Sequence, residues 1–138
     1  MKKQLLVAVT LVAVFVVSMV ASAQVKKGKT RAALTKQIMG GIMRPNCAAL
    51  GEGLKTAPAD DKGWAALATN AAVLNEVSYI VMDDGRCPDG DWANAATTLR
   101  ECSAAVLAKI EAKDLEGASA AFKTLTGACA ACHKAHKK

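Results

Sequence analysis

The chain has 138 residues, 52% of them hydrophobic, five cysteines and a formal charge of +6. That length suits one modest domain and not two. Its basic residues are scattered apart from small groups at Lys26-Lys27 and Lys134 to Lys138, the pattern of a solvated face, which gives no ground for a nucleic-acid partner.

Met1-Lys2-Lys3 precedes an apolar run from Leu5 to Val17 that contains no charge and a single hydroxyl, Thr10, and Ala21-Ser22-Ala23 follows. This is the order of a secretory signal peptide: a positive start, an apolar core and a small-residue cleavage site. Residues 1–23 are therefore expected to be removed, leaving 24–138 as one domain exported to the periplasm and not held in the membrane. The apolar core is shorter than the ~20 residues that span a bilayer, which disfavours an uncleaved anchor.

After a polar leader from Gln24 to Lys29, the first helical pattern covers Thr30 to Lys55, with Leu34, Ile38, Ile42, Leu50 and Leu54 in phase. Gly40-Gly41 and Pro45 weaken it, and a break is expected near Pro45. The second helix is capped by an aspartate at Asp60 or Asp61 and runs to about Met82, with Trp64, Leu67, Ala71, Leu74, Ser78 and Val81 as its seam. Residues 83–90 read as a loop. The third helix runs from about Asp91 to Ala112 on Trp92, Ala95, Leu99, Cys102, Val106 and Ile110. Lys113-Asp114 opens the fourth, which carries Leu115, Ala118, Phe122, Leu125, Cys129 and Cys132. No strand pattern and no repeat interrupts this, so the expected fold is all-α: an antiparallel up-down-up-down four-helix bundle. Its helices are rich in alanine and poor in aromatics, which leaves space that a flat apolar group could fill.

Cys129-Ala130-Ala131-Cys132-His133 has the C-x-x-C-H spacing of covalent haem c attachment. Thiols three apart lie on one helical face, where they can reach two vinyl groups, and the next residue offers an imidazole as proximal iron ligand. Three other readings compete. A redox dithiol would normally sit at the start of a helix in a βαβ setting, which is missing. A zinc site built on Cys129, Cys132 and His133 or His136 lacks a second ligand pair. Ordinary core cysteines beside a chance histidine remain the bland alternative.

In this layout the sequence resembles a class II cytochrome c, the cytochrome c-prime and cytochrome c-556 family. Asp114-Leu115-Glu116, Ala120-Ala121-Phe122 and Gly127-Ala128-Cys129 are similar to the family's last helix, and Lys137 stands where it usually has an arginine or lysine. The resemblance implies a bundle whose last helix carries one haem c near the C-terminus, and a residue of the first helix facing the other side of the iron. A methionine there implies a six-coordinate electron carrier; an open or apolar site implies a five-coordinate haem that binds small gases such as nitric oxide. Met39 is the expected distal ligand, with Met43 as second choice, while Gly40 at that position would leave the iron open. The resemblance further implies redox protein partners, no enzymatic turnover and a possible homodimer.

Of the other cysteines, Cys47 follows Pro45-Asn46 and Cys87 precedes Pro88, so both are expected at helix ends or loops and are paired here as a candidate disulfide, which an exported compartment permits. Cys102 reads as a small buried thiol and His136 as exposed among lysines.

Overall fold

The first helix does not break at Pro45. In the computed structural model, which describes residues 27–137, α1 covers residues 35–53 as three continuous stretches: α-helical Thr35–Ile38, a π turn at Met39–Met43 and α-helical Arg44–Gly53. Pro45 stands in the first turn of the last stretch, where its missing N–H costs least. The turn before it is wider, with the Arg44 N–H donating to Met39 O, and Asn46 Nδ2 donates to Ile42 O at 2.7 Å. Gly40 and Gly41, weak helix formers, make this the turn that yields.

Three aspartates start the other helices. Asp60 accepts the Gly63 N–H at 2.8 Å and opens α2 (Asp61–Ile80). Asp89 accepts the Trp92 N–H at 2.8 Å and opens α3 (Gly90–Glu111). Asp114 accepts the Gly117 N–H at 2.8 Å and opens α4 (Leu115–His136). Each carboxylate satisfies an N–H the helix cannot and meets the positive end of its dipole.

The described residues are thus all-helical, four helices around a common core with no named strand. The expected signal peptide, residues 1–23, lies outside them, and no described helix is long and apolar enough to cross a membrane. Leu50, Leu74, Val77, Val106, Ile110 and Leu125 are buried at the centre, each large aliphatic contributing about 1.5–3 kcal/mol by burial. On α3 the buried small residues are Ala96 and Ser103, one position on from the expected Ala95 and Cys102. The shift follows from a polar contact: Asn75 Nδ2 on α2 donates to Arg100 O at 2.8 Å and Ser103 Oγ at 3.1 Å, which turns that edge of α3 inward.

α1 begins at Thr35, not Thr30, because the residues before it are claimed by the loop between α2 and α3. Asp84 accepts from Thr30 N at 2.9 Å and Arg31 N at 2.8 Å, and the buried Arg86 donates through Nη1 to Ala33 O at 2.7 Å. These contacts hold residues 30–33 against the loop, outside α1.

Candidate functional site

The last three turns of α4 carry Cys129, Cys132 and His133. A helix turns about 100° per residue, so the two sulphurs lie 60° apart on the face that also carries Leu125, and the imidazole leaves the helix on one edge of that face. Packing changes along α4. Ala118 and Leu125 are buried, whereas no residue from 126 to 136 is; Cys129 and Cys132 are half-buried and His133 is exposed. The motif therefore lies at a loosely closed end of the core.

The thiols there are neutral at ordinary pH. Burial pushes Cys129 up to about 11, and the neighbouring sulphurs of Cys47, Cys132 and Cys102 act in the same direction. Cys132 is raised as well, first by burial and then by the Asp89 carboxylate, and burial alone raises Cys47. Cys47 of α1, Cys102 of α3 and Cys129 of α4 are all partly buried against the same core.

Beside Cys132 a cleft of about 260 Å³ opens between α3 and α4, lined by Asp91, Asn94, Ala95 and Thr98 on one wall and by Ala128, Ala131, Cys132, Ala135 and His136 on the other. Alanine makes up most of the α4 wall, so a ligand could approach that helix closely. At the cleft's end His136 is not exposed as expected: its side chain is 13% accessible, with Nε2 3.9 Å from Asp89 Oδ1. Its ring stands edge-on to Trp92, with centroids 5.2 Å apart and planes at 74°. Trp92 is fixed in turn by Nε1 donating to Val81 O at 2.8 Å. Sequence reading missed this contact, although His136 continues the 129, 132, 136 spacing of the inward face.

On α1, Met43 is buried and Met39 is half-buried against the core. Among the described residues no group of three or more His, Cys, Asp or Glu side chains is arranged to hold a metal ion. All five cysteines are free thiols. Cys47 does not lie at a helix end, because α1 continues through Pro45; it stands within α1, partly buried against the core. Cys87 donates from Sγ to Asp89 O at 3.3 Å. The Cys47–Cys87 bridge is accordingly not present in this structure.

The chain matches no family model, no curated protein and no solved structure.

Proposed function

We propose that the chain is an exported monohaem c-type cytochrome that carries electrons, with haem c linked to Cys129 and Cys132, His133 as proximal ligand and Met39 as distal ligand. The observation that carries this reading is the C-x-x-C-H motif standing on the last turns of α4, where the core stops closing around the helix. The residues fit the group: two half-buried sulphurs one turn apart and an imidazole next to them in sequence.

The direction of the helices supports the bundle this needs. Gly51 lies against the Phe122 ring, with an added Cβ at 3.3 Å from Cε1, and Ser119 Oγ donates to Leu54 O at 3.3 Å. Numbers rise on α1 as they fall on α4, so the two run antiparallel. Asn75 with Arg100 and Val81 with Trp92 give the same sense to α2 and α3, and Trp92 with His136 and Lys109 with Asp114 give it to α3 and α4. These contacts support the up-down-up-down course we propose. His133 follows Phe122 by three turns of α4, about 16 Å along the same edge. Three turns back from Gly51 on α1 is the π turn that begins at Met39, which is why we take Met39 as the distal candidate.

When bound, the haem supplies a one-electron couple on its iron. The chain's own groups do the rest. Cys129 and Cys132 fix the ring covalently to α4, so a small core need not retain it by packing alone. The imidazole of His133 would hold the iron on one side. The thioether of Met39, a soft ligand, favours the ferrous state and raises the potential, as suits a carrier between larger redox proteins. Cys129 and Cys132 are poor candidates for a haem-free redox dithiol: reactive thiols of that kind have lowered pKa values at helix N-termini or beside cations, and these are raised near a helix C-terminus.

The experiment is to export the chain together with a c-haem maturation system and record oxidised and reduced visible spectra of wild type and Met39→Ala. A red protein with sharp low-spin bands and a thioether charge-transfer band near the red edge, lost in Met39→Ala, is expected. A high-spin spectrum that Met39→Ala leaves unchanged would make the five-coordinate, gas-binding haem the better reading, and a colourless protein would refute the cytochrome assignment.

A further inference from the structure

Resting on the haem reading above, we infer that the π turn at Met39–Met43 decides the iron's coordination: by taking up one residue, it places Met39 instead of Gly40 on the edge of α1 that faces α4 at the level of His133. The argument is one of phase. Gly51 is the residue of α1 in contact with Phe122, and Ser119 bonds to the carbonyl of Leu54, so the edge that faces α4 is fixed at the far end of the helix. His133 follows Phe122 by eleven residues, three α turns, on the matching edge of α4. Counting three regular α turns back from Gly51 reaches Gly40. Such a helix would offer no side chain to the iron, and the site would be open.

α1 is not regular there. Between Gly51 and that level it contains a π turn, with the Arg44 N–H bonded to Met39 O, five residues back instead of four. A π turn holds one residue more than an α turn, so the position in phase with Gly51 moves back by one, to Met39. Cys47, one turn from Gly51, lies on the same edge and is partly buried against the core, as Cys129 on α4 is. The π turn also keeps Ile38 and Thr35 buried on the same side as Leu50, so straightening it would turn them out of the core. Single-turn π bulges recur at functional sites for this reason: they re-aim a side chain without disturbing the helix on either side.

The site has room for a direct test. A Cβ added at Gly40 or Gly41 meets nothing within 4 Å, so side chains can be placed there without collision. In the haem-loaded chain, Met39→Ala is expected to lose the thioether charge-transfer band. The double variant Met39→Ala with Gly40→Met moves the thioether by one residue and is expected not to recover it, because position 40 faces away from the iron. Deleting Gly41 removes the residue that the π turn takes up, leaving an α-helix with Met39 in phase, and is expected to retain the band. Recovery by methionine at position 40, or loss of the band on deleting Gly41 in a chain that still holds haem and full helical ellipticity, would overturn the inference. Failure of the underlying reading looks different: the wild type itself would be colourless or would lack the band.

Discussion

At the scale of single residues, the groups that matter most are set apart by environment. Cys129 and Cys132 are kept protonated by burial near a helix C-terminus, so in the chain without haem they should alkylate slowly at neutral pH. Rates with a small neutral alkylating reagent are expected to rise steeply only in alkaline solution, and rapid labelling near pH 7 would contradict the raised values. Asp84 is shifted the other way. Hydrogen bonding from the Arg31 backbone, then from Thr30, and the charge of Arg86 hold its carboxyl below its ordinary value of 3.8. A lowered folded-state pKa means the ionised form stabilises the fold above about pH 4, and that this contribution is lost as pH falls through the lower folded value. Asn tolerates the positive φ of 59° at this position, so Asp84→Asn removes the charge without straining the backbone. Its melting temperature should lie below wild type at pH 6, with the gap narrowing towards pH 2; a gap independent of pH would refute the assignment. Neither Asp84 nor His136 was legible in the sequence. Their partners, Thr30 and Arg31 for one and Trp92 for the other, lie far away along the chain, and local pattern carries no record of such pairs.

At the scale of elements, what could be read was what depends on period and caps. The seam of α2 from Leu67 through Ala71, Leu74 and Ser78 to Val81 is buried as its spacing requires, and Asp60 and Asp114 cap the helices they were expected to open. Misreadings came where backbone chemistry had two solutions. Gly40-Gly41 and Pro45 are breakers, and a widened turn satisfies them as well as a break does; only the fold, which needs both ends of α1 in the core, selects between the two. The one-residue phase error on α3 has the same origin, since Ala95 and Ala96 are equally small and the choice is made by the Asn75 hydrogen bonds across the interface. α4 has two energetic halves. Leu125 is fully buried, and Leu125→Ala should destabilise the chain by about 2–5 kcal/mol in chemical denaturation. Changes at the exposed Ala131 should stay within about 0.5 kcal/mol in the haem-free chain. A similar cost at both positions would mean that the end of α4 is closed more tightly than the structure has it.

At the scale of the whole molecule, a core that is firm from Leu50, Leu74 and Leu125 onward and loose around residues 126–136 is what a bundle looks like when a bulky group is to complete it. Attachment should then protect that end selectively. Amide hydrogen exchange over residues 126–136 of α4 and 35–43 of α1 is expected to slow on haem attachment, relative to a Cys129→Ala and Cys132→Ala chain, while the middle of α2 and α3 changes little; uniform protection would point to general stabilisation and not to a filled site. The all-helical class was legible because it depends on apolar period; the C-x-x-C-H spacing could be read as well, and its chemistry is what we propose. The order of the four helices in space was an inference from short connections, and the choice of Met39 over Met43 or Gly40 came from a resemblance and not from local pattern, because it turns on a single residue of helical register. The most direct test of the central claim is the intact mass of the chain exported with a c-haem maturation system. The account predicts residues 24–138 plus one haem, retained under denaturing conditions and absent from the double cysteine variant. A mass equal to the bare chain in both would contradict it.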